Sequence, residues 1–247
     1  MRNISTGETG GGTPPEPAAA TAALQDSCNH NPLVAGFHFR GVLPHLKKEG
    51  GTYFVTFRQA SALPKEVLLR FKHERDAILQ QALAAKRPLT WHEQEELFRW
   101  YSSRVDKYLD AGHGTCHLSN PELASLVAGA VQFFDGQRYE LCAWVVMPNH
   151  VHLLILPRVP VPTITRWLKS WTARQANEML GQAGRPFWQD ESYNHWARDR
   201  PERERIARYI EQNPVSAGLA ASPEEWAWSS AGGQAAPPAP PSEQQPR

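Results

Sequence analysis

The stretch YELCAWVVMPNHVHLLIL, residues 139–156, decides the fold. Its first half, residues 139–147, has a nearly continuous apolar end, which is typical of a strand in the middle of a sheet. Pro148 and Asn149 follow as a turn, and residues 150–156 predict the returning strand. The connection is too short to cross over a sheet, so we expect these two strands to be antiparallel.

Helices and one further strand are predicted on both sides of this hairpin. Residues 51–58, GTYFVTFR, have the composition of a strand. Apolar residues at helical spacing predict helices over 64–85, 90–109, 121–134, 162–180 and 202–212. We expect the last helix to end at Asn213-Pro214, because the residue before a proline is disfavoured in the α conformation. Regular βαβ spacing is absent, so the predicted class is α+β with helices packed on an antiparallel sheet.

The two ends of the 247-residue chain differ from its middle. Residues 1–33 and 232–247 consist largely of glycine, proline, alanine and small polar residues. Such segments bury too little apolar surface to offset the entropy of ordering, so we predict two disordered tails. Residues 34–231 are then expected to form one domain.

Composition excludes several classes of protein. The formal net charge of +1 does not favour a non-specific binder of duplex DNA. The three cysteines fit neither a disulfide framework nor a CxxC zinc ribbon. No stretch approaches the roughly 18 apolar residues of a membrane span, and the N-terminus lacks the apolar region of a secretory signal. We therefore expect a cytoplasmic protein without a membrane partner.

His150 and His152 are the first candidates for chemistry. Side chains alternate along a strand, so both imidazoles are expected on one face while Val151 points into a core. Two histidines on one face just after a tight turn form half of a metal site. An isolated pair of this kind is more often two edge histidines that bond to loop backbone.

Tyr209 and Asn213 are four residues apart and can share one face of a helix. A phenol is a potential nucleophile and an amide oxygen is a potential ligand for a hard metal ion. Taken alone, such a pair is more often a core tyrosine and an asparagine that caps the helix before a proline. With the two histidines, however, they would form a metal site with open positions for a phosphate. Such a site polarises a phosphodiester that the tyrosine could attack.

Several separated motifs, in this order, resemble the REP-associated tyrosine transposases, which are single-domain HUH transposases of the insertion-sequence type. The motifs are AWVVMPNHVHLLI, FWQDESYNHWARD, RYIEQNPVSAGL and WAWSSA. The resemblance covers about residues 38–231 and implies a ferredoxin-like α+β fold of the HUH endonuclease type. It implies binding of single-stranded DNA with hairpins, and cleavage that leaves a 5′-phosphotyrosine and a free 3′-hydroxyl, as in DNA transposition.

The resemblance also implies the roles of individual residues. His150 and His152 correspond to the HUH histidines, Tyr209 to the nucleophile and Asn213 to the third metal ligand. The implied cofactor is Mg²⁺ or Mn²⁺, although imidazole ligands by themselves would favour zinc. Residues 64–134 form a longer helical insertion than many minimal relatives have. Whether the protein is a monomer or a homodimer stays open.

Four basic residues are weaker candidates for contacts with DNA phosphates. Arg166 and Lys169 lie on the helix predicted over 162–180, and Arg205 and Arg208 precede Tyr209. Cations at such positions can bind phosphate. For Arg205 and Arg208 the nearby acidic residues make a surface on which opposite charges neutralise one another an equal alternative. For Arg166 and Lys169 the alternative is a charged face exposed to solvent.

Other functions remain to be weighed against the transposase. One alternative is a domesticated protein that no longer transposes and acts as a hairpin-binding or regulatory factor. Another is a replication or conjugation initiator, which would share the HUH chemistry but is usually larger. The histidine-triad hydrolases are disfavoured because their third histidine is replaced by Leu154. The loop with His113, Cys116 and His117 holds three possible ligands, which cannot easily complete a tetrahedral site alone.

Overall fold

The computed structural model describes residues 36–40, 43–47, 50–87, 89–190 and 192–232. The predicted disordered tails, 1–33 and 232–247, lie outside these ranges except for Gly232. Strands β1 (Gly36–Arg40) and β2 (Leu43–Lys47) form a separate antiparallel pair.

A four-stranded antiparallel sheet forms the centre of the protein. Its strands are β3 (Thr52–Arg58), β4 (Tyr139–Val146), β5 (His150–Pro157) and β6 (Tyr193–Ala197). They lie in the order β4-β5-β3-β6, and the turn between β4 and β5 is closed by a 2.9 Å bond from Met147 N to His150 O. The predicted antiparallel hairpin and α+β class are confirmed.

Six helices occupy the described part of the chain. They are α1 (Lys65–Ala84), α2 (Trp91–Trp100), α3 (Lys107–Asp110), α4 (Pro121–Phe133), α5 (Val161–Met179) and α6 (Arg200–Ser216). A π-helical turn, Tyr101–Asp106, joins α2 to α3, so the one helix predicted over 90–109 contains a local change of winding. Side-chain caps begin three of the helices: Thr90 for α2, Asn120 for α4 and Asp199 for α6.

The sheet is covered on both faces. Helices α4 and α5 pack on one face, where they meet Val151, Leu153 and Ile155 of β5. Helix α6 and the helices between β3 and α4 cover the other face, which carries Phe54 and Leu154. Because side chains alternate along β5, His150 and His152 lie on this second face. The candidate site is therefore enclosed by α6 and by the helices that follow β3.

The connections follow the ferredoxin-like scheme. Helix α4 connects β3 to β4 and α5 connects β5 to β6, and both helices lie on the same face of the sheet. Helix α4 thus belongs to the ferredoxin-like core. We therefore place the inserted helices at residues 64–120, a shorter range than the predicted 64–134. None of the helices in the described ranges is long and apolar enough to span a membrane.

The predicted end of the last helix is wrong. Helix α6 continues through Asn213 and Pro214 to Ser216. A proline lacks the N–H that would bond to the carbonyl one turn earlier, but later amides still extend the turn. Ala217 N bonds to Asn213 O at 3.0 Å, and Leu219 N bonds to Pro214 O at 2.8 Å. Pro214 is buried, so tertiary packing outweighs the local preference.

Candidate active site

The two histidines of β5 lie together in the middle of the sheet. Both side chains are completely buried, and their Nε2 atoms are 3.0 Å apart. Across the ladder, His150 pairs with Arg58 of β3 and His152 pairs with Thr56. The predicted common orientation of the two imidazoles is therefore seen in the structure.

Hydrogen bonds on the far side of each ring orient the two imidazoles. The Asn149 amide nitrogen donates to the carbonyls of Leu109 and His113 at 3.0 and 3.3 Å, which turns its Oδ1 toward His150 Nδ1, 2.7 Å away. Nδ1 of His150 therefore carries the proton, and Nε2 presents a lone pair. Nδ1 of His152 lies 2.7 Å from the Thr56 hydroxyl. Partners of this kind hold metal-binding histidines in one orientation.

Both imidazoles are electrically neutral near pH 7. Burial lowers the pKa of His150 to about 3, and the positive charge of Arg58 adds to the effect. Burial also lowers the pKa of His152 well below its usual 6.5, with a further contribution from His150. Metal ions bind the neutral form of imidazole, so the pair does not need to lose protons to act as ligands.

Tyr209 of α6 faces the histidines from the same chain. Its ring centroid is 5.9 Å from that of His152 and 6.1 Å from that of Phe54. Its hydroxyl donates to Oδ2 of Asp106 at 2.5 Å. Burial raises the pKa of Tyr209 well above 10, and the charge of Asp106 raises it further. The phenol is therefore protonated near neutral pH, and its use as a nucleophile requires an acceptor for that proton.

Asn213 supplies an amide oxygen one helical turn after Tyr209. The side chain is buried on α6, which packs against β4 and β5, and its Oδ1 has no hydrogen-bond partner among the described residues. An unpaired buried acceptor is costly, and a cation would satisfy it.

The arrangement of the donor atoms suits a divalent ion. Two nitrogen ligands about 2.1 Å from one ion, at a right angle, lie about 3.0 Å apart, and the Nε2 atoms of His150 and His152 have that spacing. Asp110 Oδ1 lies 3.7 Å from His150 Nε2, and burial raises the pKa of Asp110 to about 7. In the described ranges no group of three or more His, Cys, Asp and Glu side chains could hold a metal ion. Asn213, whose amide oxygen is unpaired among the described residues, remains the predicted third ligand.

The four predicted DNA contacts do not gather at this site. Arg166 and Lys169 lie on α5, on the opposite face of the sheet, and the Lys169 ammonium donates to the carbonyl of Asp190 at 2.6 Å. On α6, Arg208 is exposed, and the 45% exposed side chain of Arg205 forms a 3.3 Å ion pair with Glu95. These four assignments remain predictions.

A cavity opens between α1, the π-helical turn and the C-terminal end of β3, where Arg58 pairs with His150. Its volume is about 350 Å³. It is lined by the cations Arg58, Lys72 and Arg75 and by the rings of Phe71, Trp100 and Tyr101. Cations and aromatic rings are the groups that bind the phosphates and bases of single-stranded nucleic acid, although Phe71 and Tyr101 are themselves buried here.

Sequence reasoning missed the residues that surround the predicted site. Thr56 and Asn149 orient the histidines, Arg58 supplies a buried charge, and Asp106 and Asp110 bring carboxyl groups from the insertion. The spacing of the two aspartates by four residues was the only available signal, since it places both on one side of a helix.

Comparison with known proteins supports the resemblance that the sequence motifs indicated. The profile of the family described as Transposase IS200 like matches residues 124–213, a range that contains His150, His152, Tyr209 and Asn213. The predicted resemblance to this family is thus confirmed. No curated protein matches the chain.

Two solved structures are among those similar to the protein. One is a REP-associated tyrosine transposase bound to a REP hairpin, at 17% identity over 78% of this chain and 80% of that chain, with a TM-score of 0.43. The other is a provisionally assigned transposase from Deinococcus radiodurans R1, at 18% identity over 71% of this chain and 96% of that chain, with a TM-score of 0.26.

Proposed function

We propose that this chain, which resembles the IS200-like transposases over residues 124–213, cleaves and rejoins single-stranded DNA through a covalent tyrosine link. The observation that carries the proposal is the contact of Tyr209 with His152, whose ring lies beside that of His150 on one buried face of the sheet. A nucleophile beside two neutral imidazoles suits attack on a phosphodiester. The proposed substrate is single-stranded DNA that carries a hairpin.

In the proposed reaction, each predicted residue has a distinct task. His150, His152 and Asn213 would hold Mg²⁺ or Mn²⁺, which acts as a Lewis acid on a phosphate oxygen when it is bound. The Tyr209 oxygen attacks phosphorus and forms a 5′-phosphotyrosine, and the upstream strand departs with a 3′-hydroxyl. The phosphotyrosine keeps the energy of the broken bond, so a second strand can be joined without ATP.

The cavity at the C-terminal end of β3 supports a nucleic-acid substrate. Arg58 is buried, and its Nε donates to Gln189 Oε1 at 2.5 Å, so its charge is held at one edge of the site. The exposed ammonium group of Lys72 lines the same cavity. The two cations and the adjacent rings could bind one nucleotide of the strand beside the cleaved linkage.

The test is a covalent adduct assay with end-labelled DNA. A hairpin oligonucleotide, taken from the sequence around the gene and labelled at either end, is incubated with the protein and Mn²⁺ and run on a denaturing gel. We expect an adduct that retains the 3′ label but not the 5′ label, because the tyrosine holds the 5′-phosphate. Tyr209→Phe should abolish the adduct.

Tyr108→Phe is the matched control, because it removes a hydroxyl from a tyrosine that packs against His113 outside the proposed reaction. It should form the adduct as the wild type does. An adduct in Tyr209→Phe, or one that carries the 5′ label, would contradict the proposal. Hairpin binding with no adduct in the wild type would instead favour the domesticated DNA-binding protein.

A further inference from the structure

Asp106 contacts the proposed nucleophile from the inserted helices. It is the last residue of the π-helical turn Tyr101–Asp106 and is completely buried. Its Oδ2 accepts the hydrogen bond of the Tyr209 hydroxyl, while its Oδ1 has no hydrogen-bond partner in the described part of the chain. Buried carboxyl oxygens are usually paired, so this one needs a reason.

Asp106 reaches Tyr209 from a distant part of the chain. Asp106 and Tyr209 are 103 residues apart in the chain, and only the packing of the insertion against α6 joins them. The rings of Phe54 and Phe98 pack against the Tyr209 ring with centroid distances of 6.1 and 6.4 Å. With these rings packed against it, the phenol directs its oxygen at the carboxyl group of Asp106.

The electrostatics of the pair favour one position for the shared proton. Burial raises the pKa of Asp106 well above its usual range, while the hydrogen bond from Tyr209 and the charge of Arg58 oppose that rise. The charge of Asp106 in turn raises the pKa of Tyr209. At rest the phenol therefore keeps its proton and shares it only in the hydrogen bond to Oδ2 of Asp106. A carboxylate with a raised pKa is also a stronger base than an exposed one.

We infer that Asp106 is the general base that accepts the proton of Tyr209 during the attack on DNA. The inference rests on the proposed function. As the bond from the Tyr209 oxygen to phosphorus forms, the phenol O–H breaks and its proton moves to Oδ2 of Asp106. The bond from phosphorus to the 3′-oxygen breaks, and that oxygen takes a proton from water. When a 3′-hydroxyl attacks the phosphotyrosine, its oxygen bonds to phosphorus and its proton passes to the hydroxide left in the solvent, while the bond from phosphorus to the Tyr209 oxygen breaks and that oxygen takes the proton back from Asp106.

The test measures single-turnover adduct formation by Asp106→Asn at saturating hairpin DNA and Mn²⁺. The amide keeps an acceptor oxygen for the phenol but is not a base. We expect the rate to fall at least about 100-fold while the dissociation constant for the DNA stays within about threefold of the wild type. Asp135→Asn makes the same change in the exposed turn after α4, far from Tyr209 in the sheet, and should react at the wild-type rate.

A second variant tests the same inference if Asp106→Asn does not fold. Asp106→Ser leaves space at the carboxyl position, so formate should restore part of its lost rate but none of the rate of Tyr209→Phe. A structural role for Asp106 would not produce such rescue.

Each outcome separates the two proposals. If the wild type forms a Tyr209-dependent adduct and Asp106→Asn reacts within about threefold of its rate, the general base is wrong and the proposed function stands. Adduct formation by Asp106→Ser that is slow and insensitive to formate also overturns the inference. If the wild type forms no adduct, the proposed function itself fails.

Discussion

Replacing Glu202 by glutamine should destabilise the protein in a way that depends on pH. Glu202 lies in the first turn of α6, the helix of Tyr209, and is buried. Its Oε1 accepts a 2.8 Å hydrogen bond from His195 Nε2 on β6, and its Oε2 accepts bonds from the backbone and side chain of Arg198 at 3.0 and 3.1 Å. The carboxylate therefore connects the start of the tyrosine helix to the edge of the sheet.

The size of the effect follows from the pKa of this group. Burial alone would raise the pKa of Glu202, but the bonds from His195 and Arg198 outweigh it and lower the pKa from 4.5 to about 2. At 1.36 kcal/mol per pKa unit, the ionised carboxylate contributes about 3 kcal/mol to the free energy of unfolding at pH 7. A lowered pKa means that the contribution is present above pH 4.5 and is lost as the pH falls toward 2. At pH 3 about 1.4 kcal/mol remains.

The assay is urea unfolding of the wild type and Glu202→Gln at pH 7, 5 and 3. We expect the two proteins to differ by about 3 kcal/mol at pH 7, and by about half of that at pH 3. Glu204→Gln, on the exposed side of the same helix, removes a carboxylate that pairs only with Arg200 among the described side chains, and it should leave the stability close to that of the wild type. Equal free energies of unfolding for the wild type and Glu202→Gln at pH 7, or a constant difference across this pH range, would refute the reasoning.

Two further predictions concern the surroundings of the site. Gly114 has a φ of +79°, and a Cβ there would lie 2.1 Å from Ser61 O, whereas Gly112 has a φ of +70° and open space around it. Gly112→Ala should therefore lower the free energy of unfolding by only about 1–2 kcal/mol of backbone strain. Gly114→Ala should lower it further, because the new Cβ also meets Ser61 O. Equal melting temperatures of the two variants would show that the contact with Ser61 is unimportant. Thr56→Val removes the hydroxyl next to His152 Nδ1 and should weaken Mn²⁺ binding 10- to 100-fold. Titration calorimetry with Mn²⁺ measures the affinity of both proteins. Unchanged affinity would contradict the orienting role of the threonine.

Local patterns predicted most of the regular structure because they reflect short-range physics. The apolar run and short turn around Pro148 indicated an antiparallel hairpin, and the alternation of a strand put His150 and His152 on one face. The asparagine and proline at the start of α4 were recognisable as a cap and a first helical residue. The exception was Pro214, where the local preference to end a helix yields to burial in the core.

The candidate site was only half accessible to sequence reasoning. His150, His152, Tyr209 and Asn213 belong to motifs whose residues are close together in the chain, so spacing and resemblance could single them out. The partners of these residues come from elsewhere: Thr56 from β3, and Asp106 and Asp110 from the insertion. No periodicity relates these segments to the motifs.

The sequence by itself determined the elements, the class of fold and the two short motifs, because strand alternation, helix caps and turn residues act over a few neighbouring positions. Only the tertiary structure decided that the inserted helices cover the histidine face of the sheet and bring Asp106 to the phenol of Tyr209. That contact depends on how large apolar side chains from distant segments pack together, and packing of this kind is a property of the whole folded chain.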